Sequence, residues 1–438
     1  MSDYQSRLLS VIPGGAHTYS RGFDQFPANA PQILTSGKGA YVFDPDNKRY
    51  LDYGMALRSV ILGYADEAVS LAAVEQIWAG NNLTRASTIE LEAAELLVDM
   101  IDSVDMVKFT KNGSTAVSAA VKLARAYTGR DLIARCGQHP FFSYDDWFIG
   151  STPLTRGIPQ NVVEQTKCFN YNDLASLEQL FAAYPQQIAC VVMEPATSEH
   201  PAPSATHEGE TFLHDVQRLC ARHGVVFVLD EMITGFRWDL RGAQHKYRIK
   251  PDLCTFGKAM ANGFSVAAVA GRREIMELGS IEKSGAERLF LLSTTHGAEM
   301  CGLGAFVKTA AMLRERDVVN HIWSYGAKLK SGMNALAAEA GVADYFRVEG
   351  IDCSPGYLTL DRDGNPSMAL RTLFSQEMVR QGVLMPWIAL SREHGEEELE
   401  QTLSAVKNAL RVYAQALESG WENLLEGPVI KPVFRKYN

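Results

Sequence analysis

The chain has 438 residues, of which 46% are hydrophobic, and a formal net charge of −9 from 42 Lys and Arg against 51 Asp and Glu. That length, with ordinary apolar content and no long biased segment, predicts one large folded domain with a smaller satellite. The acidic balance without a basic stripe argues against nucleic-acid binding. No apolar run reaches membrane length, and Met1 to Gly15 lack the basic start, apolar core and cleavage site of a leader, so no membrane partner is expected and the cytoplasm is the default compartment. Cys136, Cys168, Cys190, Cys220, Cys254, Cys301 and Cys353 lie far apart, with no CxxC and no zinc-spaced Cys/His pair. They read as reduced, mostly buried thiols, and no metal is expected.

In chain order, Gly39 to Tyr53 shows two alternating segments around a Pro-Asp-Asn turn, the pattern of a hairpin. Short β-rich runs then recur at Met106–Thr110, Leu132–Cys136, Ile188–Met193, Val225–Leu229, Leu253–Phe256, Val266–Ala270 and Leu289–Ser293, with helical stretches between them. Runs apolar on both faces, such as Val225–Leu229, fit strands covered by helices on two sides, so the fold class is α/β with a mostly parallel seven-stranded sheet. Long helical patterns follow at Arg314–Ala340 and Glu396–Leu417, flanking shorter segments around Ala343 to Leu360. The expected organisation is an N-terminal segment 1–74, a large domain 75–310 and a C-terminal segment 311–438, the two chain ends combining into a smaller α+β domain.

Three segments carry chemistry. The run ending in Asp230-Glu231 places carboxylates at the carboxyl end of a parallel strand, where open α/β sheets bind ligands. A strand-end Asp capping the next turn is the plainer reading of the same residues. Lys258 stands among Phe256, Gly257, Ala259 and Met260, surroundings that desolvate an ammonium, lower its pKa and release a neutral amine to attack an aldehyde; a solvated surface lysine is the ordinary alternative. In Lys111-Asn-Gly-Ser-Thr115 a strand gives way to an Ala-rich helix whose first amides and hydroxyls suit a phosphate, although Ser114 or Thr115 also fits a plain helix cap.

Together with Pro13-Gly-Gly, Gly37-Lys-Gly-Ala-Tyr, Ile61-Leu-Gly, Ala124-Arg-Ala-Tyr-Thr-Gly-Arg130 and Met193-Glu-Pro195, these segments resemble the class III aminotransferases of pyridoxal-phosphate fold type I, in the group around glutamate-1-semialdehyde 2,1-aminomutase. The resemblance covers most of the chain, including the 28-residue separation of Asp230 and Lys258. It implies pyridoxal 5′-phosphate as cofactor, Lys258 as the Schiff-base lysine and proton shuttle, and Asp230 as the partner of the pyridine nitrogen. It also implies Gly113 and Ser114 at the phosphate, Glu194 in the cofactor-binding set, and Thr294 reaching the phosphate of a neighbouring subunit, hence a homodimer with shared active sites. Its small-molecule partners would be an amino donor and an oxo acceptor.

The sequence departs from that pattern at informative places. The ring-stacking Tyr-His-Gly is missing; an anchor on Asp146-Trp-Phe-Ile-Gly150 puts Phe141 there, while a small insertion selects His139 or Phe142. Met232 replaces the usual valine on the other ring face. Leu57 and Arg58-Ser59 stand where the aminomutase-like pattern has a tryptophan and a Gly-Pro, which points to a roomier, more polar pocket binding a carboxylate or several hydroxyls. Arg21 falls where the aminomutase binds its carboxylate, and both arginines also fit surface or intersubunit roles. Ser391-x-x-His394 resembles the family's, with residues missing before it, and a lone His there more often packs a helix start.

The expectation is therefore a transaminase using a donor such as L-glutamate and a polar carboxylated acceptor, an oxidised sugar acid such as 8-oxo-3-deoxy-octulosonate of lipopolysaccharide biosynthesis. The alternatives are glutamate-1-semialdehyde aminomutase itself, a transaminase of a cyclic keto acid such as 3-dehydroshikimate, and a non-catalytic protein of the same fold. Retention of Lys258 and Asp230 counts against the last.

Overall fold

The computed structural model describes residues 3–196, 198–282 and 284–437. The chain forms two compact units, one from the chain up to Asp66 together with Asn320–Arg435, the other centred on Glu67–Val319.

In the first unit, strands β1 (Ser36–Lys38), β2 (Tyr41–Phe43) and β3 (Arg49–Asp52) form an antiparallel meander. The expected hairpin is β2–β3; Asp44 accepts the N–H groups of Asp46 and Lys48, and Asn47 takes the left-handed φ of 60° that closes the turn.

In the second unit, β4 (Met106–Thr110), β5 (Leu132–Cys136), β6 (Thr166–Phe169), β7 (Ile188–Met193), β8 (Val226–Glu231), β9 (Leu253–Phe256) and β10 (Ala267–Gly271) build one seven-stranded sheet in the order β4-β10-β9-β8-β7-β5-β6. Strand β10 runs antiparallel to both neighbours and the pairings from β9 to β6 are parallel. Every residue of β7, β8, β9 and β10 is buried, as strands covered on both faces require.

Six of the seven expected strands are present and one is not. The apolar run Leu289–Ser293 pairs with no strand: the Leu289 N–H bonds the Leu278 carbonyl, Lys122 bonds the Phe290 carbonyl, and Leu291 packs over Gly279. The seventh strand is β6, a short edge strand whose Thr-Lys-Cys-Phe sequence is too polar to be read as a buried run.

The chain returns to the first unit through β11 (Phe346–Ile351), β12 (Ser354–Thr359) and β13 (Val383–Leu384). Strands β11 and β12 make a separate antiparallel pair, and β13 adds in parallel to β3. The helical pattern expected over Arg314–Ala340 is two helices, Met300–Glu315 and Val318–Glu339, broken where Asp317 takes a φ of 48°. The last long helix, Glu396–Ser419, buries one stripe from Leu399 to Ala416. Among the described residues, no helix is long and apolar enough to cross a membrane.

Candidate active site

The chemistry-bearing residues of the large unit gather at one edge of its sheet. The carboxyl ends of β4, β7, β8 and β9 deliver the Gly113–Thr128 helix, Glu194, Asp230 and Lys258 respectively, which is where doubly wound sheets place ligands.

Asp230 is 1% exposed, and Oδ1 accepts both the Met232 N–H and the Thr255 O–H, each at 2.9 Å. Thr255 is its register partner on β9. Burial pushes the Asp230 carboxyl up to about 6, opposed by the Met232 amide, by the charge of Lys258 and by Thr255. A carboxylate held in so dry a place is stabilised by a cation, and the hydrogen bonds on Oδ1 leave Oδ2 to meet one. Strand alternation sends the next residue to the opposite face. There Glu231 accepts the Ala243 and Gln244 N–H groups and the Thr234 O–H, capping the Gly242–Tyr247 helix. Of the two carboxylates, Glu231 serves architecture, and Asp230 combines a local amide bond with a face turned to the site.

Lys258 opens a 3-10 turn directly after β9, with φ at 33°, in the left-handed region that side chains seldom adopt. Held strain of this kind is found where a structure fixes a functional group.

Met232 packs between Ala116 and Ala267. A Cβ on Gly113 would fall 2.7 Å from its sulfur and one on Gly257 would fall 2.6 Å from it. The bulk that replaces valine at Met232 is thus accommodated by two positions that carry no side chain. Gly113 begins a 16-residue helix capped by Asn112, whose side chain accepts the Thr115 N–H at 2.9 Å. Asn112, then, is the cap, and neither Ser114 nor Thr115 has that role. Ser114 is buried, and its Oγ accepts the Tyr144 N–H at 3.1 Å, so its own hydrogen is available for donation. The Tyr144 hydroxyl lies 3.4 Å from Thr115 Oγ1, with a ring 59% exposed. This neighbour of the phosphate turn was not singled out from sequence, because only the fold brings the loop after β5 over the Gly113–Thr128 helix.

The three ring-stacking candidates separate by burial. His139 is 3% exposed and its Nδ1 accepts the Glu194 N–H at 2.9 Å; Phe142 is 1% exposed against Phe148. Phe141 is 44% exposed and meets Phe148 edge-on, so of the three it alone presents a ring to solvent. Glu194 is buried at the end of β7. Thr294 is exposed, on a segment tied down by Asn82 to the Thr295 carbonyl and by a Lys111–Glu299 ion pair of 2.6 Å.

The first unit holds the two arginines. Arg21 is exposed and Arg58 partly buried. Arg58 ends a turn in which Met55, Ala56, Leu57 and Arg58 all have positive φ, from 39° to 68°. Each L-residue there costs about 1–2 kcal/mol, and such residues normally occur singly. Arg21 acts electrostatically on Tyr64, whose hydroxyl accepts the Ala56 N–H of that turn. His394 is fully buried, its Nδ1 meets the Ser391 hydroxyl at 3.0 Å, its ring packs on Tyr53, and burial lowers its pKa to about 4. It packs the start of the Glu396–Ser419 helix.

The large-unit residues fit pyridoxal phosphate: a buried carboxylate that needs a cation, a lysine at the neighbouring strand end, and a helix N-terminus with a donor hydroxyl. Comparison with known proteins agrees. Residues 25–384 match the family model for class-III aminotransferases, and the chain belongs to that family. Glutamate-1-semialdehyde 2,1-aminomutase of Nitrosomonas europaea is 31% identical over 94% of this chain and 96% of its own. Among solved structures, the FumI protein of Sphingopyxis sp. MTA144, with PLP, superposes with a TM-score of 0.85 at 26% identity over 97% of this chain and 99% of its own. An omega-transaminase from Sphaerobacter thermophilus gives 0.81 at 26% identity over 94% of this chain and 97% of its own. The protein is a pyridoxal-phosphate-dependent transaminase of fold type I.

Because burial raises the Asp230 carboxyl from 3.8 to about 6, the cofactor-free fold loses stability as pH rises through that window and stays lowered above it, by about 3 kcal/mol. Cofactor-free Asp230→Asn is therefore expected to melt above the wild type near pH 8, the gap closing as pH approaches 4. Thermal scans across that range check this, and a gap independent of pH contradicts it.

Proposed function

We propose that the protein moves an amino group from L-glutamate to the aldehyde or ketone of a polar carboxylated acceptor, an oxidised sugar acid such as 8-oxo-3-deoxy-octulosonate in lipopolysaccharide biosynthesis. The observation that carries the transaminase chemistry is the buried Asp230 carboxylate on the strand beside the one that ends at Lys258. The acceptor class is supported by Arg58, on its strained turn where the aminomutase-like pattern has glycine.

Bound pyridoxal phosphate supplies an electrophilic carbon and a ring that withdraws electrons from the substrate carbon. Asp230 would pair with the cofactor's pyridine nitrogen and favour its protonated form. The Lys258 Nζ would hold the cofactor covalently and serve as the acid and base that moves the proton at the substrate carbon. The Gly113 and Ser114 amides and the Ser114 hydroxyl would hold the phosphate at the helix N-terminus. Met232, Phe141 and Glu194 would complete the set of residues that hold the cofactor. Arg58 would take the acceptor carboxylate, and the charge of Arg21 is felt at the same Tyr64 that holds its turn.

Thr294 would help hold the phosphate bound by a second copy, and the homodimer would then be the working unit. The Glu67–Trp78 helix supports such an assembly: Leu71, Val74, Ile77 and Trp78 are 55%, 43%, 51% and 86% exposed along one side of it. A contiguous apolar face of this kind is covered by a partner in stable proteins.

The aminomutase reading is favoured by the identity to the Nitrosomonas europaea enzyme. The two readings separate on a single assay. Transamination predicts that L-glutamate converts the bound cofactor to its amino form with release of 2-oxoglutarate. It also predicts that Arg58→Ala raises the acceptor KM about 10- to 100-fold while leaving that of glutamate nearly unchanged. Turnover of glutamate-1-semialdehyde with no response to glutamate would establish the aminomutase instead. For the assembly, Leu71→Glu with Trp78→Glu is expected to yield monomers, by sedimentation, that bind pyridoxal phosphate about tenfold more weakly. Monomers with undiminished affinity would remove Thr294 from the cofactor site.

A further inference from the structure

The turn carrying Arg58 is held in place by a set of bonds directed at its backbone. Asp52, buried at the end of β3, accepts the Gly54 N–H on Oδ1 at 2.8 Å and the Met55 N–H on Oδ2 at 2.9 Å. The same Oδ2 accepts the Tyr64 O–H at 2.6 Å, and the Tyr64 oxygen in turn accepts the Ala56 N–H at 2.8 Å. The Trp387 indole N–H donates to the Gly54 carbonyl at 3.1 Å, and the Ser59 hydroxyl to that of Ala56 at 2.7 Å. Gly54 has no side chain where a Cβ would lie 2.9 Å from Asp52 Oδ1. Met55, Val60 and Ala389 form an apolar floor against which Ala56, Tyr64 and Trp387 pack.

Four successive left-handed L-residues without a glycine are not chosen by local preference, so the surroundings impose them. What the imposed turn presents is Arg58, whose guanidinium carbon lies 5.7 Å over the Trp387 ring. An aromatic face at that distance attracts the cation and helps hold it, and a held guanidinium can pair with a carboxylate through two parallel hydrogen bonds. We infer that Asp52, Tyr64 and Trp387 are positioning residues that lock the left-handed turn and fix Arg58 for recognition of the acceptor's carboxylate, which makes this turn a specificity element. The inference rests on the reading of Arg58 as the acceptor-carboxylate residue.

The test uses the holoenzyme with two oxo acceptors of equal chain length, 4-oxobutanoate and butanal, which differ by the carboxylate. Wild type is expected to favour 4-oxobutanoate in kcat/KM by at least about tenfold, chiefly through KM. Tyr64→Phe, which keeps the ring and removes both hydroxyl bonds, should erase most of that preference, leaving butanal and the glutamate half-reaction unchanged. In an Arg58→Ala background the same substitution should have no further effect. Leu57→Gly removes the strain of an L-residue at a φ of 63° and leaves every locking bond in place, so it should keep the preference with a melting temperature at or above that of wild type. A structural role alone would move the melting temperature and not the acceptor ratio. A wild type that does not distinguish the acceptors, or Arg58→Ala that leaves the ratio intact, overturns the carboxylate reading and the inference with it. If Arg58→Ala collapses the ratio while Tyr64→Phe does not, the positioning inference alone fails.

Discussion

A carboxylate that is almost wholly buried, at the end of the central strand β8, sets the terms for the rest of the large unit. Asp230 has two neutral donors on one oxygen, and among the described residues the charge that acts on it is that of Lys258. An uncompensated charge in the interior is costly, and burial pushes its carboxyl up to about 6 against the opposing pull of Met232, Lys258 and Thr255. A protonated pyridine nitrogen would supply the missing cation. The sheet then works as a jig: strand register sets Thr255 beside Asp230, and the turn after β9 sets Lys258 one element away.

Packing around Met232 links positions that are remote in sequence. Gly113 at the start of its helix and Gly257 before the lysine both approach its sulfur closely enough to exclude a methyl group. A change at any one of the three is felt at the other two, since a dense interior transmits a displaced side chain rather than absorbing it. The Met232 substitution in the family pattern is accordingly a coordinated feature of the site, with the room for it provided on either side.

The α/β class was legible because buried parallel strands read as continuous apolar runs, and β7 and β8 stood out for that reason. The edge strand β6 did not, since an edge needs no second apolar face; Leu289–Ser293 read as a strand from composition although its backbone groups bond elsewhere. Lys258 and Asp230 were visible as residue types in unusual company. Thr255, Tyr144 and the division of labour between Asp230 and Glu231 depend on register and loop placement, which a single sequence does not encode at a readable distance. The left-handed turn was the least legible feature: Met-Ala-Leu-Arg is a helix-forming sequence by propensity, and bonds from Asp52, Tyr64 and Trp387, remote or out of register in the sequence, hold it the other way.

Family membership and the geometry at the sheet edge agree on the chemistry. The account stands or falls on Lys258 as the covalent attachment point. Borohydride reduction of the protein reconstituted with pyridoxal phosphate, followed by peptide mass mapping, tests it most directly. The account predicts a pyridoxyl adduct on Lys258 alone, lost in Lys258→Ala; an adduct on another lysine, or none, would contradict it.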